Sequence, residues 1–212
     1  GSGIAAIHEI PSSVISDATR PTLSALDARI QVRDVVARAR ATNMLPAPLT
    51  TRWETAIDND ALWQFEPTVV HGSMTLDALL VRGEEVSSVI GWHALRVGDP
   101  ARDLNWLVNA DEREREAVLQ SYAAARRARR DANLMHRANL YNEIDVARWL
   151  LHGIDRKNRA IVDDAVDMLE HLVRIVAGDS EDALTETATP VLNVAQVREL
   201  LEETPAHRPM GT

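Results

Sequence analysis

The sequence contains no cysteine, which excludes disulfides and thiolate metal sites and fits a reducing compartment. It has one phenylalanine and two tyrosines against five tryptophans, so tryptophan is the main large aromatic filler. Lys157 is the only lysine, and chemistry that needs a lysine therefore has one candidate. No glycine lies between Gly3 and Gly72, so that stretch holds no glycine-rich loop. No apolar run approaches the ~20 residues that cross a bilayer. The start lacks a basic segment followed by an apolar one, so no secretory signal is predicted and a cytoplasmic setting is expected. Basic excess is missing too. A net charge of −9 argues against nucleic acid as a partner, because phosphate neutralisation needs surplus lysine and arginine.

What is present is ordinary globular material, 45% hydrophobic and 26% charged over 212 residues, enough for a real core. The opening Gly1-Ser2-Gly3 reads as a cloning scar. Residues 4–177 read as the domain, and 178–212 as a mobile linker, a short helix over Val194 to Glu203 and a tail. Ile4 to Pro11 reads as the end of an apolar helix stopped before the proline. Ser12 to Arg20 reads as a polar loop. From Thr22 the residues Leu23, Leu26, Ile30 and Val35-Val36 recur at helical spacing, and that helix ends before Pro46. Arg52 to Trp63 is a second helical stretch built on Trp53, Ile57 and Leu62. Later helices are expected over Pro100 to Val108, with Arg102, Asp103 and Asn105 as a polar face, and over Glu112 to Arg130, basic at its end. Two more follow. Leu140, Ile144, Ala147 and Leu151 line one, and Val162, Val166, Leu169, Val173 and Val176 the other. The fold class is mostly α with a small β-hairpin sheet.

The chain is organised around Val69 to Trp106. A β-branched pair, Val69-Val70, reaches His71-Gly72, and a loop leads to an apolar run at Leu79 to Val81. A Gly83-Glu84-Glu85 turn returns a second run ending at Val89-Ile90, and Gly98-Asp99-Pro100 breaks into a helix. A strand and hairpin with a polar loop at one end form a common platform for a site.

The order of these motifs resembles the C-terminal lobe of the aminoglycoside phosphotransferase family, kinase-fold enzymes that phosphorylate small molecules, and within it the macrolide phosphotransferase branch. The family pattern H-G-D-x-x-x-x-N reads here as His71-Gly72-Ser73 through to Ala78. Its I-D-W reads Ile90-Gly91-Trp92, and its G-D-P-x-x-D reads Gly98-Asp99-Pro100 through to Asp103. Ile4 to Pro11 is similar to the helix that opens the family's C-lobe, and the resemblance covers roughly residues 4 to 175. It implies a protein-kinase-like C-terminal lobe whose N-terminal lobe, with its lysine and phosphate-covering loop, is absent from this chain and belongs to a longer parent protein.

The departures fall on the chemistry. The resemblance puts the family's catalytic base at Ser73 and its magnesium ligands at Ala78 and Gly91. The retained scaffold is His71, Gly72, Trp92, Asp99 and Asp103. A positioned base is worth roughly 10²- to 10⁴-fold, and magnesium needs hard oxygen ligands that alanine and glycine lack. The expectation is therefore a pseudokinase-type module that binds a protein partner or a small-molecule ligand. ATP and magnesium, the family's cofactors, are not expected to bind, and no metal site is expected. The alternative is an ATP-dependent aminoglycoside- or macrolide-type phosphotransferase in which Asp77 or His93 takes over the lost roles. Asp77 reads more simply as an exposed loop carboxylate and His93 as a solvent-facing or hydrogen-bonded histidine. His71 reads as structural, its ring bonded to loop backbone, and Asp99 and Asp103 as braces of the loop and helix start. Arg126-Arg127 and Arg129-Arg130 read as a solvated helix face.

Overall fold

A computed structural model describes residues 1–17, 20–83, 85–128 and 130–178. The linker, last helix and tail expected beyond residue 178 lie outside the described residues. The chain runs α1 (Ser2–His8), α2 (Ser12–Asp17), α3 (Ala25–Ala41), α4 (Ala47–Asp58), β1 (Thr68–Val70), β2 (Leu79–Arg82), β3 (Glu85–Val89) and β4 (Arg96–Gly98). It continues through α5 (Glu112–Ala125), α6 (Leu134–Asp155) and α7 (Arg159–Gly178). It is mostly helical with two small antiparallel sheets, as the sequence patterns predict.

Local chemistry sets several of the boundaries. Ser24 caps α3 in a reciprocal box: its hydroxyl accepts from the Asp27 amide and the Asp27 carboxylate accepts from the Ser24 amide. Asp111 caps α5 by accepting from the Glu114 amide, and two glutamates in the first turn suit the positive end of the helix. Pro46-Ala47-Pro48 begins α4, because a proline in the first turn sacrifices no helical hydrogen bond.

Five local expectations are corrected. Ser12–Asp17 is a short helix, not a loop, and it turns Ile15 into the core. On α3 the buried stripe is Ala28, Val32, Val36 and Ala39, while Leu26 and Ile30 face outward. Small alanines let α3 approach its neighbours closely, and the stripe keeps the 3.6-residue period. Pro100 to Val108 is not one α-helix but two 3-10 turns, Pro100–Asp103 and Asn105–Asn109. A three-residue repeat superposes Pro100 and Asp103, so Asp103 points inward and is fully buried instead of lying on a polar face. α5 stops at Ala125, before the arginine run, because the Arg126 guanidinium and the Arg127 amide both bond to Glu9. Trp149, expected in the core, is 38% exposed and donates to Asp164.

Two apolar clusters make the interior. One joins α3, α4, α6 and α7 around Trp53, Leu49, Leu140, Ile144 and Leu169. The other joins α1, α2, β1, β4 and α5 around Ile4, Val69, Met74, Leu104 and Leu107. Leu134 and Met135 touch both, so the two halves share one interior. Complete burial of each such side chain contributes about 1.5–3 kcal/mol. β1 pairs with β4 in the register Thr68↔Gly98 and Val70↔Arg96, and β2 with β3 as Leu79↔Val89, with an irregularity at Leu80/Val81. Because the pair is antiparallel, His71 leaves it at the end beside Arg96 and Asp99 leaves it at the opposite end, beside Thr68.

Candidate functional site

The loop that leaves β1 is held by one buried carboxylate. Asp103 accepts from the His71 amide at 2.7 Å through Oδ2 and from the Gly72 amide at 2.7 Å through Oδ1. Gly72 has φ +82°, and a Cβ there would lie 2.4 Å from the Ala94 carbonyl oxygen. Glycine is thus required twice over, by conformation and by space. Asp103 also meets His8 Nε2 at 3.2 Å, and His8 Nδ1 lies 2.8 Å from the Tyr122 hydroxyl. A neutral imidazole protonated on Nε2 satisfies both contacts, donating to Asp103 and accepting from Tyr122. Burial pushes the Tyr122 phenol up to about 12, which keeps it a donor. Helix α1 and helix α5 are in this way tied to the loop through a single chain of polar groups.

A second buried network supports the turn after β4. Asp99 caps that turn by accepting from the Ala101 amide. It also accepts from Arg137 Nε at 2.7 Å, Arg137 Nη2 at 3.1 Å and the Tyr141 hydroxyl at 3.0 Å. Arg137 is fully buried, donates further to Asp131 and to the Leu62 carbonyl, and lies over the Phe65 ring at 4.5 Å. Burial alone would lower its pKa. Asp99 and Asp131 outweigh that and hold it above the ordinary arginine value, so it stays charged. The sequence reading missed Arg137, Tyr141 and the His8–Tyr122 link. A signal existed for two of them: Arg137 and Tyr141 continue the apolar face of Ile144 at i, i+4 and i+7, where a charged residue requires a buried partner.

The reactive positions look different. The Ser73 hydroxyl oxygen is buried without a hydrogen-bond partner, as is His71 Nδ1. The other ring nitrogen of His71 donates to the Ile90 carbonyl at 2.8 Å, and the ring packs edge-on against Trp92 at 4.8 Å. Trp92 anchors itself by donating to the Val89 carbonyl. The Ala78 methyl is buried in the second apolar cluster. Gly91 has φ +86°, and a Cβ there would make only ordinary contact with the His71 ring, 3.8 Å away. Asp77 and His93 are exposed. Among the described residues no three histidine, aspartate or glutamate side chains converge in a way that holds a metal ion. Ser73, Ala78 and Gly91 do not provide the hard oxygen set that magnesium requires, so the metal does not fit these positions.

A helical body with a β1–β4 pair, a hairpin and a carboxylate-clamped His-Gly loop defines a kinase-like phosphotransferase fold. Solved structures agree. The chain is similar to macrolide 2'-phosphotransferase type I, with a TM-score of 0.72 and 29% identity over 79% of this chain and 56% of that one. It shares its fold with macrolide 2'-phosphotransferase MphH from Brachybacterium faecium, TM-score 0.70 and 23% identity over 88% of this chain and 58% of that one. The same holds for the GDP complex of wild-type aminoglycoside 2'-phosphotransferase-IIIa, TM-score 0.64 and 16% identity over 79% and 57%. The chain therefore spans somewhat more than half the length of these structures. No curated protein matches its sequence. Residues 1–141 match the model of the phosphotransferase enzyme family, and the chain belongs to that family.

Proposed function

We propose that this chain is a catalytically inactive phosphotransferase lobe that serves as a ligand- or partner-binding module. The observation that carries the reading is the Asp103-clamped loop that presents Ser73, not a carboxylate, where the family's base is expected. A serine hydroxyl does not ionise near neutral pH. Alanine and glycine at the two metal-ligand positions remove the charge neutralisation on which phosphoryl transfer depends. The clamp, the His71–Trp92 contact and the Asp99–Arg137 network keep the loop in shape, and its exposed tip, Thr75, Leu76 and Asp77, is what it offers to a partner. The setting we propose is cytoplasmic. The absence of cysteine supports it, and among the described residues no helix is long and apolar enough to cross a membrane.

Isothermal titration of the full-length protein with magnesium-ATP tests this. The expected result is no metal-dependent nucleotide binding and no phosphate transfer to macrolide or aminoglycoside acceptors. Tight metal-dependent binding together with turnover would overturn it.

Family membership favours a second reading, an ATP-dependent small-molecule phosphotransferase whose catalytic groups have moved to Asp77 or His93. Both side chains are exposed beside the loop region. Under this reading, alanine at one of them abolishes the activity of the full-length protein; activity untouched by either change removes it.

A further inference from the structure

Most buried or half-buried arginines of this chain meet at least one carboxylate each. Arg137 lies between Asp99 and Asp131, Arg52 faces Glu143, and Arg29 faces Asp60. One place breaks that balance. Arg102, from the turn after β4, donates to Asp145 at 3.0 and 3.3 Å. Arg148, one turn further along α6, lies 3.4 Å from the same carboxylate. The atom at that distance, Arg148 Nε, is buried and makes no hydrogen bond, to Asp145 or to anything else among the described residues. Arg96, from β4, is partly buried, and among the described residues it forms no hydrogen bond or ion pair. The remaining acceptor capacity of Asp145 is further used by the Asn105 amide at 3.1 Å.

We propose that Arg96, Arg102 and Arg148 form a binding site for a phosphate-type dianion. Arg102 and Arg148 meet at the one carboxylate of Asp145, and Arg96, from a third element, has no ion pair of its own yet stands close enough to feel the Arg102 charge, which leaves a local excess of positive charge on a chain whose net charge is −9. Asp103 offsets part of it through space, but its two oxygens are engaged by the His71 and Gly72 amides and by His8, so it forms no ion pair with an arginine and three guanidiniums stand against two carboxylates. The cluster already strains its own ionisation. Burial, then the Arg102 charge, holds Arg96 below the ordinary arginine range, and burial, Arg102 and Arg96 do the same to Arg148. A bound anion relieves that repulsion. Planar guanidinium forks match the oxygens of a phosphoryl group in pairs. The side chains of Arg148 and Asp145 are 40% and 37% exposed, so an anion reaches the cluster from solvent. Arg102 is fixed by its stack over the Tyr141 ring at 4.9 Å, which gives the site a rigid floor. This site is independent of whether the loop is catalytic.

The test is calorimetric titration of the 212-residue chain with inorganic phosphate and with O-phosphoserine at low salt, using chloride at matched ionic strength as the control. Saturable binding is expected, weakening as salt rises. Arg96→Gln, which breaks no ion pair, should weaken it by about tenfold or more, and Arg96→Lys by less, because charge stays but the fork is lost. Arg38→Gln, at an exposed pair with Asp155, should leave it unchanged. If Arg96→Gln fails to fold by circular dichroism, Arg148→Gln carries the same test. Tighter binding of phosphoserine supports the site and assigns the phosphoryl group to an ester, and equal binding supports it for free phosphate. An absence of saturable binding, or binding equal in the folded arginine variant, overturns the proposal.

Discussion

The Gly72 amide donates to Asp103 Oδ1 at 2.7 Å, and this contact fixes the loop after β1 in a backbone conformation that side chains rarely adopt. Because the other oxygen of Asp103 takes the His71 amide, the carboxylate works as a two-pronged clamp between β1 and the turn after β4. Replacing Asp103 by asparagine turns one prong into a donor facing a donor. A loss of about 2–3 kcal/mol is expected, the cost of an unmet buried amide plus a lost charged hydrogen bond. Urea denaturation followed by tryptophan fluorescence measures it, and a midpoint equal to the unaltered chain would refute the clamp.

Two glycines separate the effect of backbone conformation from that of space. Both Gly72 and Gly83 have positive φ, but a Cβ at Gly83 meets nothing within 4 Å. Gly83→Ala should cost about 1 kcal/mol through conformation alone. Gly72→Ala should cost at least about twice that, since the Ala94 carbonyl must also move. Paired thermal melts decide the point, and equal losses at the two positions contradict it.

Arg137 is the most exacting charge of the interior. Arg137→Gln leaves Asp99 and Asp131 without their cation, and a destabilisation of about 3–5 kcal/mol is expected. The same change should loosen the turn at Pro100–Asp103, because Asp99 both caps it and binds Arg137. Amide hydrogen exchange at Ala101 reports that second effect separately from global stability.

Stability should fall at alkaline pH for a traceable reason. Tyr122 titrates near 10 in the unfolded chain and at about 12 in the folded one, so the folded state favours the protonated phenol. Its contribution is complete below pH 10 and is lost as pH rises from 10 to 12, about 2–3 kcal/mol in all. Tyr122→Phe should flatten the decline without abolishing it, because burial and Asp99 also raise the Tyr141 phenol. Denaturant midpoints at pH 9 and pH 11.5 compare the two chains. An identical slope in Tyr122→Phe would place the effect elsewhere.

Much of the helical frame was legible because it is local. The 3.6-residue recurrence in α6 and α7 marks Leu140, Ile144, Ala147 and Leu169, which the structure buries. The turn at Gly83 marks the hairpin of β2 and β3. Periodicity failed where a neighbour chose the face. On α3 the larger Leu26 and Ile30 outscore Ala28 and Ala39 by hydrophobicity, yet close helix packing selects the alanines. β4 left no signal, since three residues form a strand only because β1 supplies their partners.

The same division applies to the site. The motif order, the helical class and the residue types at positions 73, 78 and 91 are legible in the chain alone, because they depend on what each side chain is. It took the folded arrangement to bring Asp103 to the loop it follows by some thirty residues, to bury Arg137 entirely, and to set Arg102 and Arg148 on one carboxylate while Arg96 is left without an ion pair. Those facts depend on distances between charges remote in the chain. In the partly desolvated interior, such distances determine whether a charge is paired or left over.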